Sequence, residues 1–130
     1  VGGSPVESWI AKTYYSEHKE ISYILERQKK AEENYPAVLN QYNEDVRTYP
    51  SRVQIAQRDQ LPIPPKPIKP EDPKHDYYRP SALYNYMVAP WEGFVSKGII
   101  WYQGESNAGR YSEYFLLFSS LIHEWRNHFS

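Results

Sequence analysis

The spacing of hydrophobic and polar positions changes sharply near the end of the chain. Residues 99–102 (Ile-Ile-Trp-Tyr) form a continuous apolar run, which is typical of a short buried strand. The polar stretch Gln-Gly-Glu-Ser-Asn follows at 103–107. Apolar residues then return at every third or fourth position, which predicts a helix over 112–128 that packs five of them inward: Phe115, Phe118, Leu121, Ile122 and Trp125. Strand, polar turn and helix in this order build sites in open α/β sheets, at the carboxyl ends of the strands.

The first half of the chain has helical spacing. An apolar face that starts at Ile21 predicts a helix ending near Asn34. A second face over residues 38–46 predicts another helix, which Pro50 stops. The two helices form either a helical hairpin or one kinked rod, and we interpret residues 14–50 as a helical insertion.

The segment 60–78 is rich in proline, with prolines alternating with Ile and Lys. This composition excludes a helix and favours extended polyproline II backbone. We interpret the segment as a stiff surface connection, with a ligand for a polyproline-binding domain as the alternative. Ser81 is placed to cap a short helix. Residues 81–130 are therefore expected to form a helix-strand-helix unit, whose strand begins at Gly98.

Composition narrows the possible functions. With 15 basic and 16 acidic side chains the net charge is −1, and the sequence has no Lys/Arg stripe, so we expect no nucleic-acid partner. There is no cysteine, and no apolar run approaches the roughly 20 residues of a membrane span. Aromatic residues make up 16% of the chain, including 13 Tyr and 4 Trp, which suits either a sugar-binding cleft or an amphipathic surface.

Three blocks resemble a known family. Residues 101–108 (Trp-Tyr-Gln-Gly-Glu-Ser-Asn-Ala) resemble the block around the oxyanion-hole Gln of sialate O-acetylesterases, carbohydrate esterases of the SGNH type within the GDSL-like hydrolases. Residues 2–9 (Gly-Gly-Ser-Pro-Val-Glu-Ser-Trp) are similar to the family's Gly-Gly-Thr-Pro-Ile-Glu-Ala-Trp block. Residues 79–85 (Arg-Pro-Ser-Ala-Leu-Tyr-Asn) resemble the segment that leads into the Gln strand. The blocks occur in the family's order.

The resemblance implies an α/β fold, a partial three-layer α/β/α sandwich of the SGNH-hydrolase kind with a helical, Pro-rich insertion. Residues 1–130 would then be the middle portion of one esterase domain. The family's nucleophilic Ser lies in a Gly-Gln-Ser-Asn-like block and its base in an Asp-x-x-His-like block, and neither block occurs in this sequence. We therefore expect both groups in the remaining parts of the same domain, and no ester hydrolysis by residues 1–130 alone.

The resemblance also assigns site residues. The backbone N–H of Gly3 and the side-chain amide of Gln103 would form the oxyanion hole of a Ser-His acyl-enzyme mechanism. Glu105 is not expected to contact the substrate. It would either accept hydrogen bonds that hold the loop or stabilise the start of the following helix through its negative charge. The substrate would be an acetylated carbohydrate, such as O-acetylated sialic acid. No metal or organic cofactor is implied.

Two serines are weaker candidates for the nucleophile. Residues 104–108 (Gly-Glu-Ser-Asn-Ala) nearly match a nucleophile elbow around Ser106, but Ala108 stands where the motif has a second Gly. Ser106 is more consistent with a turn or cap residue, and the same holds for Ser4. A triad of Ser106, His123 and Glu105 stays open, although His123 would have to reach back along a helix that leads away from the turn.

The remaining polar candidates are scattered. No metal site is predicted, because the four histidines show no ligand spacing: His18, His75, His123 and His128. Arg79 and Arg110 suit either the carboxylate of an acidic sugar or ordinary ion pairs.

The sequence therefore favours a carbohydrate O-acetylesterase. The alternatives are a non-catalytic binding or scaffolding module derived from an esterase, and a deacetylase of another polysaccharide such as xylan. The compartment is left open, with a secreted or periplasmic parent protein among the options.

Overall fold

The computed structural model of the chain describes residues 2–129, which are largely helical. Three α-helices cover Lys12–Glu17 (α1), Tyr23–Arg58 (α2) and Tyr111–Phe129 (α3). Shorter helical turns precede the first and third of them. These turns are the 3-10 helix Val6–Trp9, the π-helix Tyr84–Val88 and the 3-10 helices Ala89–Trp91 and Glu105–Arg110.

The predicted α/β fold is wrong. Residues 2–129 contain no strand, so they do not form a partial three-layer α/β/α sandwich of the SGNH-hydrolase kind. The predicted strand over 98–102 has no regular structure, and the exposed fractions of Ile99 and Ile100 are 48% and 100%. A β-branched run favours extended backbone, but a strand also needs a neighbour that satisfies its backbone N–H and C=O groups. The described residues supply no such neighbour.

Helix α2 is one continuous helix of 36 residues with Pro36 and Pro50 inside it. The helical hairpin with a break near Asn34 and the predicted stop at Pro50 are therefore wrong, and the alternative of one rod is closer to the structure. Each proline removes one intrahelical hydrogen bond. Both prolines are exposed, so water can satisfy the carbonyl that each one releases in the preceding turn.

The predicted C-terminal helix is confirmed as α3, but its inward face differs from the prediction. Leu117, Leu121 and Trp125 are buried one turn apart. Phe115, which we expected to face inward, is 82% exposed. It precedes Leu117 by two residues, about 200° around the helix, and so lies on the opposite side.

The chain divides into two units, and the first comprises residues 2–29 and 76–129. The first turns of α2 belong to this unit. Its core combines the 3-10 helix Val6–Trp9 with α1, the π-helix and α3. The buried apolar side chains of this core are Val6, Ile10, Ala11, Tyr15, Ile21, Ile24, Tyr84, Val88, Leu117, Leu121 and Trp125.

The second unit comprises residues 30–75. It contains the remainder of α2 and the Pro-rich segment, which has no helix over 61–72, as its composition predicts. The Tyr49 hydroxyl donates to the Pro64 carbonyl at 3.2 Å, which ties the segment back onto the helix. Ile63 and Ile68 in this segment are exposed. In neither unit does a described helix combine the length and the hydrophobicity needed to cross a bilayer.

Candidate functional site

The Gly-Gly turn and Gln103 lie beside each other in the first unit. Gln103 Nε2 donates to the backbone carbonyl of Ser4 at 2.8 Å, across 99 positions of sequence. Gly3, immediately before Ser4, is exposed and has a φ of +73°, a left-handed conformation that favours glycine. The two segments that the resemblance assigns to one site are therefore neighbours. The sheet edge on which we expected them does not exist in residues 2–129.

Both hydrogens of the Gln103 side-chain amide are donated in hydrogen bonds. One points to the Ser4 carbonyl, and the other points to Asn107 Oδ1 at 2.7 Å. The Oε1 atom of Gln103 is buried and has no hydrogen-bond partner among the described residues. The backbone carbonyl of Gln103 accepts from the Tyr114 hydroxyl at 2.9 Å. An acyl oxygen would receive a hydrogen bond from this amide only in exchange for an existing one.

Asn107 connects Gln103 to the first 3-10 helix. Its side chain is only 1% exposed. Asn107 Oδ1 accepts from the backbone N–H of Val6 at 2.9 Å as well as from Gln103. Its Nδ2 donates to Glu7 Oε2 at 2.8 Å. The amide thus bridges the two blocks from both of its ends.

Glu7 is a buried carboxylate at the other end of this bridge, with 4% of its surface exposed. Its Oε1 accepts from the Arg27 guanidinium at 3.2 Å and from the Arg110 guanidinium. Two cations therefore offset the cost of burying the charge. The backbone carbonyl of Glu7 accepts from the Tyr15 hydroxyl at 2.8 Å, which fixes the main chain at the same residue.

The network continues from Arg27 to α3. Arg27 Nη1 donates to both carboxylate oxygens of Glu113 at 3.0 Å. The Tyr23 hydroxyl donates to Glu113 Oε2 at 3.1 Å. Burial and the neighbouring Glu113 charge raise the pKa of Tyr23 to about 12, so this hydroxyl stays a donor at neutral pH.

Sequence reasoning missed the roles of Glu7 and Asn107. Both residues were part of the matching blocks, but neither was singled out as a contact between them. Of these two residues only Glu7 is charged. From the sequence alone, a buried glutamate cannot be told from an exposed one. The sequence offered one signal for these roles. Both matching blocks contain polar residues, and a polar side chain that is buried needs a hydrogen-bond partner.

The other predicted residues lie around this centre. Glu105 is exposed and starts the 3-10 helix Glu105–Arg110. His123 Nδ1 contacts the Tyr14 hydroxyl at 3.1 Å, and no hydrogen bond within residues 2–129 links Ser106 to His123. Arg79 donates to the Asp76 carbonyl at 2.7 Å, a loop-bracing contact.

The histidines are not gathered into a ligand set. Among the described residues, no group of three or more His, Asp or Glu side chains is arranged to hold a metal ion. His18 stacks on Tyr14 with ring centroids 3.9 Å apart, and His75 contacts Asp72 at 3.1 Å.

An aromatic cluster follows the Gln103 segment towards α3. Trp101 packs edge-on against Trp9 and Trp125, with ring centroids 5.6 and 5.5 Å apart. A cleft of about 510 Å³ opens beside these rings. Aromatic side chains line it together with the cations Lys97 and Arg126. The Trp9 indole N–H donates to Ser4 Oγ at 3.0 Å, which joins this cluster to the Gly-Gly turn.

Glu124 is a second buried carboxyl, which sequence reasoning also missed. It is 1% exposed and accepts from the backbone N–H of Ala11 at 2.9 and 3.2 Å. Burial raises the pKa of Glu124 to about 7, and the charge of Glu92 acts in the same direction while the Ala11 hydrogen bond opposes it. The Glu124 side chain thus links α3 to the backbone of Ala11, and it is separate from the Gln103 network.

The chain is similar to sialate O-acetylesterases over about two fifths of its length. It is 44% identical to sialate O-acetylesterase of Mus musculus over 52 residues, which are 39% of this chain and 10% of that protein. The enzymes named sialate O-acetylesterase from Rattus norvegicus and Homo sapiens are each 42% identical over 50 residues, 38% of this chain and 9% and 10% of theirs. The matched region is thus about a tenth of these relatives, and within it the predicted resemblance is confirmed. No family model and no solved structure matches the chain.

Proposed function

We propose that the natural protein carrying this chain hydrolyses O-acetyl esters on carbohydrates, with O-acetylated sialic acid as its substrate. The similarity to proteins named sialate O-acetylesterase supports the reaction and the substrate class. One structural observation supports the site. The amide of Gln103 contacts the Ser4 carbonyl at 2.8 Å, so the Gly-Gly turn and the Gln103 segment are neighbours although they are distant in sequence.

In this proposal Gly3 and Gln103 bind the acyl oxygen. A serine attacks the acetyl carbon, a histidine takes the serine proton, and the carbonyl oxygen becomes an anion. The backbone N–H of Gly3 and the Nε2 group of Gln103 donate to that oxygen. Donors aimed at a charge that develops in the transition state lower the barrier more than they strengthen substrate binding.

The hydrogen that Gln103 would give to the substrate is the one now on the Ser4 carbonyl. The other hydrogen is held by Asn107 Oδ1, which the Val6 N–H fixes in place. An oxyanion is a stronger acceptor than a neutral backbone carbonyl. The exchange therefore becomes favourable as negative charge builds on the substrate.

The experiment is acetate release by the natural polypeptide that carries residues 1–130, with three substrates in parallel: O-acetylated sialic acid, acetylated xylan and an aryl acetate. Release from the sialic acid is the expected result. Release from xylan alone would contradict the substrate, and no release from any of the three would contradict the enzyme.

Residues 1–130 assayed alone are expected to give background rates. Acyl transfer needs a nucleophile held by a base, and in residues 2–129 no hydrogen bond links Ser106 to His123. If this segment hydrolyses the ester and Ser106→Ala abolishes that activity, the expectation is wrong and a triad within the chain is favoured.

A further inference from the structure

We infer that Glu7 is a positioning residue that presets the side-chain amide of Gln103 as a hydrogen-bond donor, acting through Asn107. The catalytic consequence of this inference rests on the proposed function. The orientation itself does not, because it follows from the donor and acceptor types along three contacts.

The first contact is between Glu7 and Asn107. The Glu7 carboxylate is buried and bound by two guanidinium groups, those of Arg27 and Arg110, and it presents acceptor oxygens. Asn107 must therefore turn its NH₂ group towards Glu7, and Nδ2 donates to Oε2 at 2.8 Å. The reverse orientation would set two acceptors against each other.

The second contact follows from the first. With Nδ2 on Glu7, Asn107 presents Oδ1 on its other side, where it accepts from the Val6 N–H at 2.9 Å. The Val6 N–H is only a donor, so it requires the same orientation. Glu7 and Val6 together exclude the flipped amide of Asn107.

The third contact fixes Gln103. Asn107 Oδ1 and the Ser4 carbonyl are both acceptors, so Gln103 must present Nε2 to them, at 2.7 and 2.8 Å. Within residues 2–129 its Oε1 is buried without a hydrogen-bond partner, which is unfavourable for an isolated amide. The Nε2 group of Gln103 is then turned towards the Gly-Gly turn before any substrate arrives, and the reaction requires only that its hydrogen bond to the Ser4 carbonyl be exchanged.

Glu7→Gln tests the inference, because a neutral amide of the same shape offers both a donor and an acceptor, and the orientation of Asn107 is then left to the Val6 N–H. The readout is the ¹⁵N–¹H signals of the Gln103 side-chain amide in the natural polypeptide. We expect these signals to shift and their hydrogen exchange to accelerate. In the acetate-release assay we expect kcat to fall about tenfold, below the loss for a missing oxyanion donor, with KM within about twofold.

Glu113→Gln is the matched control. It also neutralises a carboxylate bound to Arg27, but no hydrogen bond between the described residues links Glu113 to Asn107. The Gln103 amide signals should stay unchanged in this variant. Unchanged signals in Glu7→Gln, or equal changes in both variants, would overturn the inference.

The unsubstituted protein gives a test that does not depend on whether Glu7→Gln folds. The Nε2 hydrogens of Gln103 and the Val6 N–H converge on one oxygen, so a nuclear Overhauser contact between them is expected. A folded protein without that contact would contradict the relay. If the contact is present but Gln103→Ala keeps full esterase activity, the proposed oxyanion role fails while the positioning of the amide stands.

Discussion

Asn107 Nδ2 donates to Glu7 Oε2 at 2.8 Å, and the two residues are 100 positions apart in the chain. Both side chains are buried in the first unit. The contact joins the 3-10 helix Val6–Trp9 to the 3-10 helix Glu105–Arg110. A polar bridge therefore holds together the two blocks that resemble sialate O-acetylesterases.

Gly3→Ala tests the backbone of the Gly-Gly turn. An added Cβ would meet nothing within 4 Å, so the cost comes from the left-handed φ of +73° alone. We expect the free energy of unfolding in urea to fall by about 1–2 kcal/mol. Gly2→Ala is the control, because Gly2 also has open space around it but no positive φ. Equal losses in the two variants would contradict the conformation of Gly3.

Glu124→Gln tests the buried carboxyl beside Ala11. The pKa of Glu124 is raised to about 7 in the folded state, so its contribution to stability is fully present below its ordinary pKa and is lost as the pH rises through 7. The substitution should leave stability at pH 5 nearly unchanged and increase it at pH 8. The gain is at most about 3 kcal/mol, since each tenfold change in proton affinity is worth about 1.4 kcal/mol.

Urea unfolding at both pH values measures this difference. Glu17→Gln is the control, because it makes the same substitution at an exposed position at the end of α1. A variant of Glu124 that is less stable than the unsubstituted protein at pH 8 would mean that this carboxylate is stabilised by charge, against our account.

Trp125→Ala and Phe115→Ala test which face of α3 is buried. Trp125 packs against Trp101 and Trp9, and its indole N–H donates to the Trp9 carbonyl at 3.1 Å. We expect Trp125→Ala to cost about 3–5 kcal/mol. Phe115 is largely exposed, so Phe115→Ala should change stability by less than about 0.5 kcal/mol. Similar losses from both would restore the inward face predicted from the sequence.

The α-helices were largely predictable, but the lack of regular structure at 98–102 was not. Spacing identified α3 because Leu117, Leu121 and Trp125 repeat at helical intervals, although spacing alone did not reject Phe115. The apolar run at 99–102 indicated burial, but whether such a run pairs depends on a partner strand that local sequence does not specify. Pro36 and Pro50 led to wrong predictions of where the helices end. Both prolines are exposed in α2, where water can satisfy the backbone carbonyls that they leave unpaired.

The proximity of the two segments was predictable, but the network between them was not. The resemblance assigns Gly3 and Gln103 to one site, and Gln103 contacts the carbonyl of Ser4, the residue after Gly3. The contacts through Asn107 to Glu7 span about 100 residues, and no spacing rule reaches that far. A buried carboxylate is stable only if hydrogen-bond donors surround it, and the fold supplies those donors from distant parts of the chain.

The most direct test of the account is kcat for acetate release from O-acetylated sialic acid by the natural polypeptide carrying Gln103→Ala. The predicted result is a fall of about 10²–10³-fold with a folded protein, the loss typical of a missing oxyanion donor. Gln41→Ala, at an exposed position on α2, is the control and should keep full activity. A Gln103→Ala protein with kcat within about twofold of the unsubstituted one would contradict the central claim.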